Sequence, residues 1–138
     1  VSEMVASPSM VLAPADLASV AVVRAAIAGS LAERGWDEDS IHRVVLATSE
    51  ATANAVEHGS LPGELVEVLY HVGMFEASVR VLDSGGTQPW APPTTFTMPE
   101  PSAQRGRGLA LIAAMARTLL VARSGQGVEV RMEFARAI

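Results

Sequence analysis

The stretch Leu46-Ala-Thr-Ser-Glu-Ala-Thr-Ala-Asn-Ala-Val-Glu-His-Gly59 decides how this chain is read. It is predicted to be the C-terminal half of a helix that starts near Asp37 and stops at Gly59, glycine being suited to the position just past a helix end. Glu50, Asn54 and His58 stand at i, i+4 and i+8 and stack along one face, with Ala47 and Ala51 beside them. Ile41, Val44, Val45, Thr48, Thr52 and Ala55 make the opposite stripe, expected to face a core. Asn is a poor residue for a helix interior, because its amide competes for backbone hydrogen bonds. A local rule broken on a face lined with alanine means either a site with room for a ligand or a solvated polar face.

Outward from that helix, the composition bounds the answer. The 138 residues, 49% hydrophobic and 18% charged, suit one globular domain with a real core. With no cysteine there is neither a disulfide framework nor a thiolate metal site. The net charge of −5, with all ten basic residues Arg and none clustered, argues against nucleic acid as a direct partner. No apolar run reaches membrane-spanning length, and no basic region precedes an apolar one at the N-terminus. A cytoplasmic globule is expected.

Residues 1 to about 8 read as loose, and Met10 to Ala13 as a short edge strand ended by Pro14. A first helix follows to about Arg34, with Leu17, Val20, Val23 or Arg24, Ile27 and Leu31 at helical spacing. Gly35 closes it and Trp36 packs at the corner. Ser60-Leu-Pro-Gly63 is turn chemistry. Residues 65–70 read as a strand with a mixed face pattern. A tight connection at Gly73-Met74 leads to a second strand, in which Phe75, Ala77, Val79 and Val81 point one way. Residues 84–105 hold five prolines and little periodicity, which predicts a functional lid or a mobile segment. A helix at 109–116 and two strands around Ser124-Gly-Gln-Gly127 complete the order β-α-α-β-β-lid-α-β-β.

Two further motifs carry chemistry. Asp83-Ser-Gly-Gly86 ends the hairpin with a carboxylate able to accept from an exocyclic amine, beside glycines that admit a flat ligand; it is also an ordinary turn. Gly106-Arg-Gly-Leu-Ala-Leu-Ile112 puts two glycines at a helix start, where free N–H groups suit phosphate and Arg105 and Arg107 add charge; it is also a hinge with solvated arginines. His58 suits a C-terminal cap, and His42 and His71 have no metal-ligand spacing. Trp90 and Phe96 either close over a ligand or anchor the loop.

The sequence of these pieces resembles the GHKL ATP-binding superfamily over residues 9 to 135, and within it the stand-alone anti-sigma factor serine kinases of bacterial partner switching. The resemblance implies a two-layer α/β (α+β) sandwich of the Bergerat type. Its mixed, mostly antiparallel sheet would be covered by helices on one face, with residues 87–105 as the ATP lid. It implies an ATP-dependent serine/threonine protein kinase that sequesters a sigma factor and phosphorylates an anti-anti-sigma (STAS-type) protein. Glu50 matches the general base and Asn54 the Mg²⁺ ligand. Asp83 and Gly85 match the adenine box, and Arg105, Gly106, Arg107, Gly108 and Leu109 the phosphate-wrapping box. The oligomeric state, homodimer included, stays open. Two departures stand out: Gly86-Thr87 alters the adenine box, and Gly125-Gln126 stands where the family often has Gly-Thr. A non-catalytic docking module of the same fold is the alternative.

Overall fold

A computed structural model describes residues 9–61, 63–85, 107–125 and 127–137. Five strands form one sheet in the order β1-β2-β3-β5-β4, and every pairing is antiparallel. The strands are β1 (Ser9–Pro14), β2 (Leu65–Val72), β3 (Glu76–Leu82), β4 (Thr118–Ser124) and β5 (Gly127–Ala135), and the helices are α1 (Ala18–Glu33), α2 (Glu38–Asn54) and α3 (Arg107–Met115). β1 pairs only with β2, as expected of an edge strand whose last residue lacks an N–H. No described helix is long and apolar enough to cross a membrane.

The alternation along the inner strands places the core. Val66, Val68 and Tyr70 of β2, Ala77, Val79 and Val81 of β3, and Val128, Val130, Met132 and Phe134 of β5 are buried on one face. The three helices cover that face, with Val23, Ile27, Leu31, Val44 and Ile112 packed into the same cluster. Each such side chain is worth about 1.5–3 kcal/mol of burial. The mixed pattern expected for β2 thus resolves cleanly, since Leu65 is exposed and Leu69 half-buried on the uncovered face. Along α1, Val23 rather than Arg24 takes the core position, and Leu17 ahead of the helix is exposed.

Local chemistry sets the corners. The Asp37 carboxylate caps α2 by accepting from the Ser40 N–H at 3.0 Å, and hydrogen bonding from Ser40, by its side chain first and by this N–H second, lowers the Asp37 pKa. Gly35 ends α1 at φ 76°, a conformation that glycine adopts without strain. Trp36 is buried as expected and donates from Nε1 to the Gly73 carbonyl at 2.9 Å. Phe75, expected among the inward residues, is 64% exposed. It precedes β3 in the tight connection, where the two-residue period does not yet apply, and its carbonyl accepts from Arg136.

The face of the sheet away from the helices carries one nearly buried charge. Glu129 accepts from Arg80 Nε at 3.1 Å and from Arg131 Nε at 3.1 Å. Burial alone would raise this carboxyl, but the two guanidinium groups hold it below its usual value. Arg80 and Arg131 are direct cross-strand partners, and Glu129 offsets their repulsion.

Candidate functional site

α2 delivers Glu50 and Asn54, both half-buried, one turn apart near its C-terminal end. At Asn54 the α-helix gives way to a π turn over Ala55–Gly59. Such widened turns occur frequently at functional sites, and this one follows directly on the residue expected to hold metal. The turn also ends the simple i, i+4, i+8 stack, so position 58 no longer follows Asn54 at α-helical pitch. The side chains of His58 and Arg107 lie outside the described part, as do Arg105, Gly106, the expected lid at 87–105 with Trp90 and Phe96, and the Gly86-Thr87 alteration.

The alanines beside Glu50 do not leave room for a ligand. Ala47 and Ala51 are each 1% exposed and belong to the core. α2 is wedged between α1, α3 and the sheet, so its buried arc is far wider than one stripe and the small residues serve close helix packing. Thr48, on the core side as expected, is fully buried, and its Oγ1 has no hydrogen-bond partner among the described residues.

α3 brings its first turn onto this polar pair. A β-carbon on Gly108 would lie 2.7 Å from Asn54 Nδ2 and 3.3 Å from Glu50 Oε2, so glycine lets the α3 start meet this pair without displacing their side-chain tips. Leu109, expected near phosphate, sends its side chain into the core at 5% exposure. The part of Leu109 left for a ligand is its backbone N–H, one of the donors free at a helix start. Leu109 and Ile112 anchor α3 and so fix the direction of those donors.

Asp83 follows β3 directly. Its N–H donates to the Val128 carbonyl at 3.1 Å, and its Oδ1 accepts from Val128 at 2.9 Å and Gly85 at 3.0 Å. Both bonds to the carboxylate fall on Oδ1; no described residue donates to Oδ2. Burial raises the Asp83 pKa above 3.8, against the lowering effect of the Val128 and Gly85 bonds, and Glu64 adds to the rise. Gly85 has φ 104°, so glycine is required there. Ser84 N–H donates to Ser60 Oγ at 3.2 Å, and Ser84 Oγ to the Leu65 carbonyl at 3.1 Å. These bonds tie the end of β3 to the segment leaving the π turn, and so bring the Asp83 motif to the C-terminal end of α2.

Sequence reasoning placed the last-strand glycine motif wrongly. Gly125 occupies the turn at φ 63° and Gln126 lies outside the described residues, while Gly127-Val128 is the pair against Asp83. The residue after the contacting glycine is then an apolar Val128 with no hydroxyl. The signal that was available is a glycine at a strand start, which marks a close approach of another backbone.

An open antiparallel sheet with helices on one face, a Glu–Asn pair under a glycine helix start and a half-buried aspartate at a strand end define a nucleotide-binding ATPase domain. Residues 13–134 match the histidine kinase-like ATPase domain, and the chain belongs to that family. It is similar to the serine-protein kinase RsbW of Bacillus velezensis, at 30% identity over 128 residues, which covers 86% of this chain and 79% of that protein. The RsbW of Bacillus licheniformis is 30% identical over 69 residues, covering 50% of this chain and 43% of the relative. A crystal structure of the RsbU and RsbW domains of Rv1364c from Mycobacterium tuberculosis superposes with a TM-score of 0.71 over 94% of this chain and 32% of that one, at 23% identity. At that identity the likeness is one of fold.

Proposed function

We propose that this chain is an ATP-dependent serine/threonine protein kinase that acts as an anti-sigma factor, and that its substrate is an anti-anti-sigma protein of the STAS type. The observation that carries the reading is the close approach of the α3 start to Glu50 and Asn54, the residues proposed as base and hard-ion ligand. The residues present fit Mg-ATP. Asp83 has a carboxylate oxygen, Oδ2, to which no described residue donates and which suits an exocyclic amine, and its charge is held by two N–H donors on the other oxygen. Asn54 offers one amide oxygen, which is enough for Mg²⁺ because that ion takes its remaining ligands from water and phosphate. The N–H groups of Gly108 and Leu109, free at a helix start, would bind the phosphates, and Arg105, Gly106 and Arg107 are proposed to add donors and charge to that box. Bound Mg-ATP would supply the transferable phosphoryl group and neutralise its developing charge.

The chain's own work is positioning and one proton transfer. Glu50 accepts the proton of the partner's serine hydroxyl as its oxygen attacks, and the carboxylate is close enough to Gly108 to be fixed by α3 packing. The sigma factor binds on a surface apart from this site, so sequestration does not require transfer. The support for the kinase assignment is the family match together with the two RsbW relatives.

One observation favours docking without transfer: residue 128, whose N–H donates to Asp83, is a valine without a hydroxyl, where relatives of the family often carry a threonine. Incubation with labelled ATP, Mg²⁺ and candidate STAS partners decides between the two. Label on a partner serine is expected. No label with any partner, together with sigma binding that ignores nucleotide, would leave the docking reading.

A further inference from the structure

We propose that Gly127 is a positioning residue for base recognition: its missing side chain lets β5 clamp one oxygen of Asp83 and turn the other toward the nucleotide. The inference rests on the reading of Asp83 as the acceptor for an adenine amine. Gly127 opens β5, where it pairs with Ser124. A β-carbon there would stand 2.0 Å from the Asp83 carbonyl oxygen, 2.8 Å from its carbonyl carbon and 2.9 Å from Oδ1. Two of these neighbours are backbone atoms of the residue that follows β3, so they cannot swing aside as a side-chain tip would.

Backbone conformation does not explain the glycine. The positive-φ glycines are Gly35, Gly63, Gly85 and Gly125, and Gly127 is not among them. The turn itself is served by Gly125, whose added β-carbon would meet nothing within 4 Å. Gly127 is thus required by close approach alone. What the approach achieves is an exchange of partners at the end of the ladder. Asp83 N–H donates to the Val128 carbonyl, as an antiparallel pair requires, but the Val128 N–H donates to Asp83 Oδ1. The carboxylate therefore completes the pairing, and its rotamer is fixed by backbone. Gly85 N–H, on the same oxygen, adds a second constraint. Oδ2 is left as the oxygen for the ligand.

The test compares ATP with purine riboside triphosphate, which lacks the 6-amino group, by calorimetry on the wild type, Gly127→Ala and Gly125→Ala. The wild type should prefer ATP by about tenfold or more, as expected for a hydrogen bond to a charged acceptor. Gly127→Ala should bind ATP more weakly and reduce that preference to about twofold or less. Gly125→Ala should lose stability from its strained φ and keep the preference, which is the pattern of a merely structural glycine. A wild type without preference overturns the adenine reading of Asp83 itself. A wild-type preference that survives in Gly127→Ala overturns the role of Gly127 alone. Should Gly127→Ala fail to fold, Val128→Pro takes its place, because it removes the clamping donor and leaves residue 127 unchanged; a retained preference there overturns the proposal. In the wild type without nucleotide, the amide proton resonances of Val128 and Gly85 should follow the titration of the Asp83 carboxyl. An indifferent Val128 amide means there is no clamp, and the proposal falls.

Discussion

Gly108 lies against Asn54 so closely that a β-carbon at residue 108 would come within 2.7 Å of the Asn54 amide nitrogen. The obstructing atom is the tip of a side chain, not backbone, so Gly108→Ala should fold. It should displace Asn54, and through it the metal, and weaken Mg-nucleotide binding about tenfold or more. Calorimetry with Mg-ATP checks this. An unchanged affinity with an intact fold would detach α3 from the site.

Glu50 and Asn54 should fail differently when changed. Asn54→Ala removes the proposed metal ligand, so nucleotide affinity and phosphate transfer should fall together. Glu50→Gln keeps shape and hydrogen bonding while removing the base, so ATP binding should persist and transfer drop by about a hundredfold or more. Binding to the sigma factor should survive Glu50→Gln. Equal transfer by wild type and Glu50→Gln would exclude Glu50 as the base.

Asp83 trades stability for recognition. Its folded pKa is raised by burial, so just above 3.8 the folded state still holds a proton that the unfolded chain has released. Stability therefore falls as pH rises through that window, and above it the buried charge is a standing cost. Asp83→Asn keeps an oxygen for the two N–H donors and removes the charge. The ligand-free variant should melt at or above the wild type at pH 7, and the gap should close below pH 3.8. Its stabilisation by ATP should be lost. A variant clearly less stable than the wild type at pH 7 contradicts this account.

Glu129 behaves in the opposite sense. Its folded pKa lies below the ordinary 4.5, so its ion pairs contribute stability above that value and lose it as pH falls through the folded pKa. The Arg80 and Arg131 side chains are 39% and 48% exposed, so the contribution is screened. Glu129→Gln should cost about 1 kcal/mol at neutral pH, with a difference that shrinks in acid. Denaturant titrations at pH 7 and pH 3.5 measure both limits.

Thr48 is the simplest stabilising target. Its buried hydroxyl has no partner among the described residues, while Thr52 Oγ1 donates to the Thr48 carbonyl at 2.7 Å. Thr48→Val fills the same space without the desolvated hydroxyl and should gain about 1 kcal/mol, roughly 3 °C in melting temperature. A loss of stability would mean that Oγ1 is satisfied by a buried water.

Much of this was legible because local chemistry and the global fold agree. Asp37, Gly35, Pro14 and the alternation in β3 and β5 each specify their element without help from distant residues. Ala47 and Ala51 were misjudged because helix periodicity gives the centre of a buried arc, while its width depends on how many neighbours the helix has. Phe75 was misjudged because strand alternation starts only where pairing starts. Gly127 was read as a second turn glycine, since a requirement set by the Asp83 backbone, far back in the chain, leaves no trace in local spacing. The π turn after Asn54 was not foreseen either, and nothing in Ala55-Val-Glu-His-Gly59 separates it from a helix end.

β5 lies between β3 and β4 and is the last strand of the described chain. During synthesis, Asp83 emerges well before the Val128 amide that orients it, and Arg136, whose guanidinium donates to Gly35 and Met74, emerges later still. The Asp83 carboxylate therefore lacks its Val128 donor until β5 pairs with β3. A nascent chain that has not yet delivered β5 would leave β3 and β4 without their shared partner. Emergence of β5 thus becomes a checkpoint, at which the closure of the sheet and the orientation of Asp83 arrive together.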